Sequence, residues 1–129
     1  MRLLLDTHTF IWADTEREKL SPRVADVLQD ERSQVFLSVV SVWEMQIKVQ
    51  LGKMTLRTDL ATLVRQQLSQ SRLQLLPVLL PHVLAVGQLP MHHKDPFDRL
   101  LIAQALHEKL TLLSADATVQ RYPVQTVWA

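Results

Sequence analysis

The sequence predicts an α/β protein, a parallel sheet covered by helices on both faces. Three observations predict it. Arg2-Leu3-Leu4-Leu5 is an apolar run of strand length without alternation, as expected of a strand buried on both faces of a parallel sheet. Strand-length runs then alternate with stretches of helical period along the chain. Two of those runs end at an acidic residue, Asp6 and Asp116, and in open parallel sheets the functional crevice lies at the carboxyl ends of the strands.

Residues 2–6 are the first predicted strand, and a short helix is expected near residues 8–14. Ser21-Pro22 starts the next helix, with Ser as N-cap and Pro in the first turn. Leu20, Val24, Val27 and Leu28 give it an apolar face as far as about Asp30. Gln34 to Ser38 is a second strand, followed by a helix from Val39 to Leu51 that stops at Gly52. Thr58 is the expected cap of a helix on which Leu60, Leu63, Val64 and Leu68 recur at helical spacing. Leu73 to Val78 is a third strand, and a short helix follows near residues 81–88. Asp95-Pro96 opens the most regular helix, residues 96–108. Leu110 to Ser114 is the fourth strand and Val124 to Trp128 the fifth.

Composition narrows the function classes. A chain of 129 residues is large enough to bury a core, and residues 1–129 are read as one domain without repeat or linker. There is no cysteine, hence no disulfide, thiolate metal site or cysteine nucleophile; this suits a cytoplasmic location. Asp6 interrupts the first apolar run where a secretory signal would have to continue, and no stretch reads as a membrane span. Only two glycines occur, which excludes a Walker A loop and a dinucleotide fingerprint. Fourteen basic residues stand against 13 acidic ones, so any dealing with nucleic acid needs a local patch or a metal.

The acidic residues carry the chemistry. Asp6 is either the N-cap of the helix after strand one or a metal ligand or nucleophile in the crevice. Glu44 lies four residues after Val40 and three before Ile47, on the apolar stripe of its helix. A pair with Lys48 at i,i+4 explains the lysine better than it explains an inward carboxylate. Asp95 reads first as a helix cap, and Asp98, three positions on, shares a face with Leu101, Ile102 and Ala105. Asp116 is a turn residue unless its company gives it a role. Four carboxylates gathered in a partly dry crevice repel one another, and a hard divalent cation relieves that repulsion. All-oxygen ligands favour Mg²⁺ or Mn²⁺ over zinc, and such sites activate water and stabilise phosphoryl transition states. The acids alone therefore point to phosphodiester hydrolysis.

The histidines show no zinc spacing and read mostly as surface or packing residues, with His8 and His93 near enough to the acids to touch a substrate. Ser38 and Ser41 lack a nucleophile elbow.

These residues resemble the PIN-domain ribonucleases. The likeness runs through Leu5-Asp6-Thr7-His8 with Trp12, then Leu37 to Glu44 with Lys48 and Leu51-Gly52-Lys53. It continues through Leu89-Pro90 and His93-Lys94-Asp95-Pro96-Phe97-Asp98-Arg99 to Ala105, and ends in Leu113-Ser114-Ala115-Asp116. It is nearest to the VapC-like group, small bacterial toxins of type II toxin–antitoxin pairs. The resemblance implies a three-layer α/β/α sandwich with a five-stranded parallel sheet. It also implies a site of Asp6, Glu44, Asp98 and Asp116 holding Mg²⁺ or Mn²⁺, and endoribonuclease activity by metal-activated water. The implied partners are an RNA substrate, a small antitoxin whose tail blocks the crevice, and a second copy in a homodimer. Asp95, Thr7 and Ser114 are accessory candidates, and Arg99, Lys94 and Lys48 are candidates for RNA phosphate contacts. A receiver domain would carry paired acids after strand one, and a haloacid-dehalogenase-type phosphatase would carry a second Asp at position 8, where His8 stands. The competing readings are a non-catalytic regulatory module acting with an antitoxin, and a PIN nuclease with a housekeeping role in RNA processing.

Overall fold

A computed structural model describes residues 1–129. It contains β1 (Arg2–Leu5), α1 (Thr7–Thr15), α2 (Pro22–Gln29), β2 (Gln34–Ser38), α3 (Val39–Gln50) and α4 (Leu60–Gln70). β3 (Leu73–Leu76), α5 (Leu80–Val86), α6 (Pro96–Glu108), β4 (Thr111–Leu113) and β5 (Thr126–Val127) follow. The five strands form one parallel sheet in the order β3-β2-β1-β4-β5. The predicted fold class is the observed one.

β1 is central because its leucines are wanted on both faces. Leu3 and Leu5 point into one core with Phe10, Val24, Val35, Leu37, Leu63 and Leu113. Leu4 points into the other with Val40, Leu101, Ile102, Ala105 and Leu112. Period-two alternation in a run without polar residues thus feeds two apolar layers at once. α1, α2 and α4 cover the first face and α6 the second, with α5 packed against α6, and α3 contributes Met45 to one core and Val40 to the other.

Several boundaries differ from the prediction, each for a local reason. β3 stops at Leu76, paired with Ser38, because Pro77 has no N–H to continue the ladder. β4 and β5 are shorter than predicted, and Asp6 lies just outside β1. The cap of α4 is Asp59 rather than Thr58: its carboxylate accepts from the Thr62 backbone N–H at 3.0 Å and from the Thr62 hydroxyl at 2.7 Å. A charged acceptor taking two donors outcompetes the neighbouring hydroxyl. α3 ends as predicted. Gly52 takes φ +71, its N–H bonds the Val49 carbonyl and the Lys53 N–H bonds that of Lys48, which is the double closure that a left-handed glycine permits.

Sheet order changes direction at β1. The chain runs outward from β1 through β2 to β3 on one side, and β4 and β5 lie on the other. Adjacent crossovers therefore leave in opposite directions between β1 and β4, which opens a crevice at their carboxyl ends.

Candidate active site

β1 and β4 end at the same level, Leu5 opposite Leu113. Asp6 and the Ser114-Ala115-Asp116 turn are thus delivered to one place. A cleft opens there, lined by Asp6, His8, Trp12, Asp98, Ala115 and Asp116.

Asp6 combines both roles that its sequence position suggested. It caps α1, its Oδ1 accepting the Thr9 N–H at 2.8 Å, and it also forms a wall of the cleft. The Thr9 hydroxyl donates to the Leu113 carbonyl at 3.0 Å and ties the start of α1 to β4. Burial pushes the Asp6 carboxyl above its usual range, against the opposing hydrogen bonds from Thr9 and Ser114. Ser114 is buried and its hydroxyl accepts the Asp116 N–H at 3.1 Å, so it links the two acids.

α6 brings the third acid. Asp95 caps it, its Oδ1 accepting the N–H groups of Phe97 at 2.8 Å and Asp98 at 3.3 Å, with Pro96 in the first turn. The cap leaves the Asp98 carboxylate to face the cleft. Burial, then the charge of Asp95, pushes Asp98 up to about 7, with smaller contributions from Asp6 and Glu44 and an opposing one from His93. A carboxyl held there at neutral pH marks more negative charge than the site can solvate.

Asp116 is the exception among the cleft acids. Burial would raise its carboxyl, yet hydrogen bonds from His93 and from the Thr118 N–H at 2.8 Å hold it below its ordinary value.

Glu44 is 3% exposed and is not on the cleft wall. Its Oε1 accepts the Thr7 hydroxyl at 2.6 Å and its Oε2 the Lys48 ammonium at 2.5 Å. Thr7 also meets the Ser41 hydroxyl at 3.0 Å. Burial works against the charge of Lys48, but its bond to Glu44 raises its proton affinity overall. Lys48 therefore neutralises Glu44 first, and its use as a phosphate contact would require it to leave that partner.

His93, expected only to touch a substrate, sits among the acids. His93 Nε2 lies 2.8 Å from Asp116 Oδ2 and 3.1 Å from Asp98 Oδ2. The Asp95 N–H donates to His93 Nδ1 at 3.1 Å, which leaves Nε2 as the proton-bearing nitrogen. That N–H bonds Asp116, and the Asp98 carboxylate lies beside it. No spacing rule announces this contact, because it depends on how the loop before α6 is pinned. The Tyr122 hydroxyl accepts the His93 N–H at 2.8 Å and donates to the Pro90 carbonyl at 2.8 Å.

Arg99 corrects a prediction. Expected to meet RNA phosphate, it is 7% exposed and points away from the cleft. Its guanidinium donates to the carbonyls of Pro90 at 2.9 Å and Val86 at 3.0 Å, and to the Tyr122 hydroxyl at 3.3 Å. It holds the His93 loop from behind. Lys94 is exposed on that loop.

A larger cavity, about 460 Å³, lies among α1, α2, α4 and β3 and is lined by Phe10, Asp14, Leu28 and Arg72. Its carboxylate, Asp14, is already bonded to Arg57 at 3.0 Å, so no unpartnered acid group gathers there. The acids gather in the smaller cleft instead.

Comparison with known proteins settles the family. The profile of the PIN domain matches residues 3–125. The chain belongs to the PIN-domain family. PIN domains are generally nucleases, and PIN nucleases use divalent metals. A search of curated proteins found no match to this sequence. Among solved structures the fold is similar to a chain of VapBC2 from Rickettsia felis bound to a DNA fragment from its promoter, at TM-score 0.74 and 16% identity over 100% of both chains. DNA-bound VapBC from Salmonella typhimurium matches at TM-score 0.72 and 16% identity, over 98% of this chain and 97% of that one. FitAcB from Neisseria gonorrhoeae matches at TM-score 0.62 and 22% identity, over 96% and 95%. The VapC-like resemblance thus extends to the whole fold.

The donor set suits a hard cation. Carboxylates of Asp6, Asp98 and Asp116 face one cleft, burial disfavours ionisation of the first two, and their oxygens are donors that Mg²⁺ and Mn²⁺ prefer.

Proposed function

We propose that this PIN domain, residues 1–129 acting as one unit, is a Mg²⁺- or Mn²⁺-dependent endoribonuclease and the toxin of a type II toxin–antitoxin pair. The observation that carries the nuclease reading is the convergence of Asp6, Asp98 and Asp116 on one cleft, with Asp98 pushed up to about 7. Asp6, Asp98 and Asp116 would hold the metal, with Glu44 completing the acidic set from the adjoining pocket. The bound ion supplies a lowered water pKa and neutralises charge on the phosphate.

The chain's own residues do the rest. Thr7 and Lys48 fix Glu44 in place, and Ser114 spaces Asp6 from Asp116. His93 donates Nε2–H to Asp116, with Asp98 Oδ2 3.1 Å away, and so orients the Asp116 carboxylate. Trp12 and His8 line the cleft beside these acids. Lys94, exposed beside the site, is the basic residue best placed for an RNA phosphate.

The toxin reading draws support from the similar chains, which come from VapBC and FitAB complexes, two of the VapBC ones described as bound to DNA. A homodimer is favoured by exposed apolar residues on α5 and α3, among them Leu80, Val83, Leu84 and Trp43. No helix is long and apolar enough to cross a membrane, and a cytoplasmic location fits an RNA substrate.

Cleavage of varied structured RNAs by pure, antitoxin-free protein in Mn²⁺ tests the enzyme; it should vanish with EDTA and in Asp6→Asn. Absence of metal-dependent cleavage from folded protein would leave the non-catalytic reading in its place. Expression alone should arrest growth and Glu44→Gln should relieve the arrest; equal arrest by that variant would remove the toxin reading.

A further inference from the structure

Two aromatic rings share the cleft with the acids. His8 and Trp12 are four residues apart on α1 and so lie on one face of the helix. Both line the cleft beside Asp6, Asp98 and Asp116. Their ring centroids are 5.8 Å apart, tilted by 41°. His8 is exposed and Trp12 half-buried.

Trp12 is packed by a second indole. Trp128 packs edge-on against it at 5.7 Å. Trp128 is itself fixed by the Ser21 hydroxyl, which donates to its carbonyl. The Lys19 ammonium stands 5.9 Å from the centroid of the Trp12 ring.

Trp12 packs in part against the core beneath α1, a task an aliphatic side chain could share, and it also lines the cleft. An indole that faces an acidic cleft presents a π surface where a neutral, flat group can approach carboxylates without charge repulsion. A nucleobase is such a group, and its phosphate is the anionic part that a cation among the acids would receive.

We propose that His8 and Trp12 form a nucleobase subsite, on which an unpaired base next to the scissile phosphate stacks. The proposal rests on the nuclease reading above and narrows its substrate to single-stranded or looped RNA. A base inside a duplex has both faces covered and cannot reach Trp12 without being turned out. Stacking on an aromatic platform is tolerant of base identity, so the subsite sets strandedness and the register of the cut rather than sequence.

The test is steady-state cleavage in Mn²⁺ of a mixed-sequence single-stranded RNA whose cut site has been mapped. The comparison substrates are the same RNA with one abasic nucleotide beside the cut, and the same RNA annealed to its complement. Trp12→Leu should raise KM about 5- to 100-fold while kcat stays within about threefold, and Trp12→Phe should restore KM. His8→Ala should raise KM less. The abasic RNA should reproduce the loss with the wild-type protein and add nothing to Trp12→Leu. Mn²⁺ affinity should be the same in all variants, a readout that separates lost stacking from a damaged cleft.

Wild-type KM in Trp12→Leu, or equal cleavage of the abasic or the annealed RNA, would overturn the subsite while leaving the nuclease reading standing, and would hand the aromatic wall to a protein partner. If Trp12→Leu melts early, the abasic RNA with wild-type protein decides alone. Failure of the wild-type protein to cut any RNA would overturn the nuclease reading, and the subsite with it.

Discussion

α6 carries a histidine–carboxylate hydrogen bond at each end, wired alike. At its amino end the Asp95 N–H meets His93 Nδ1 at 3.1 Å, and Nε2 turns to Asp116 at 2.8 Å and Asp98 at 3.1 Å. Near its carboxyl end the Leu79 N–H meets His82 Nδ1 at 3.0 Å, and Nε2 turns to Glu108 at 2.9 Å. Both groups bring three ligand-type side chains together, His107 completing the second. Yet the His82 bond holds the Glu108 carboxyl below its usual range, whereas Asp98 is pushed up to about 7.

Burial makes the first difference, since Asp98 is far more enclosed than Glu108, and the number of neighbouring acids the second. His82 serves one carboxylate, half-open to water, and is further secured by Gln104, whose side chain also accepts the Ser38 hydroxyl at 2.6 Å. That end is satisfied and ties α5, α6 and β2 together. At the other end the N–H is taken by Asp116, while the more buried Asp98, 3.1 Å from the same nitrogen, has Asp95, Asp6 and Glu44 close enough to repel its charge. The same local geometry is a structural tie in one place and an unbalanced site in the other. A satisfied buried network rigidifies, while surplus charge is maintained only where a ligand relieves it.

Substitution of one acid by its amide at each end should separate the two most widely in activity. Asp98→Asn should lower kcat/KM for RNA about 10²- to 10³-fold, as loss of one preorganised charge-handling group does. Glu108→Gln should stay within about twofold. Comparable losses at both ends would erase the distinction.

Arg99 offers a second way to break the comparison, because it supports only the His93 end. Arg99→Lys keeps the charge but cannot reach the Pro90 and Val86 carbonyls and the Tyr122 hydroxyl together. It should cost about 2–3 kcal/mol of stability in chemical denaturation. Hydrogen exchange should rise in the loop before α6 and stay unchanged around His82.

In metal-free protein the same amide substitutions should act with opposite sign on stability. Folded Asp98 titrates at about 7 against a usual 3.8, so the folded state keeps a proton that the unfolded state releases. Stability therefore falls as pH climbs between those values and levels off above about 7. Asp98→Asn removes that penalty and should gain on the order of 2 kcal/mol at pH 8 in EDTA, shrinking to little near pH 4. Glu108→Gln should instead lose about 1 kcal/mol, because an amide is a weaker acceptor for the buried His82 N–H. Thermal melts across pH check both signs.

Much of this was legible in the chain, and the exceptions have a pattern. β1 could be read because three leucines after Arg2 leave a buried strand as the economical solution, and Gly52 could be read because the end of α3 needs a left-handed residue. Asp6, Glu44, Asp98 and Asp116 could be singled out because each breaks an apolar pattern or ends a strand. The aromatic partners of the cleft gave a fainter signal: Trp12 and His8 share a helical spacing, but nothing local says that their face meets Asp98. His93 showed only its nearness in sequence to Asp95 and Asp98, since its bond to Asp116 arises from a loop that Tyr122 and Arg99 fold back from distant positions. Arg99 was misread for the same reason. A guanidinium beside two aspartates suggests phosphate, and only the path of the preceding loop shows three internal acceptors waiting for it.

The central claim is that the cleft end of α6 binds a divalent cation and the His82 end does not. Calorimetric titration of Mn²⁺ into metal-free wild-type, Asp98→Asn and Glu108→Gln proteins, at pH 8 and pH 6, tests it most directly. The account predicts binding by wild type and Glu108→Gln alike, about tenfold weaker at pH 6, where protons compete for Asp98, and none by Asp98→Asn. Undiminished binding by Asp98→Asn, or loss of binding in Glu108→Gln, would contradict it.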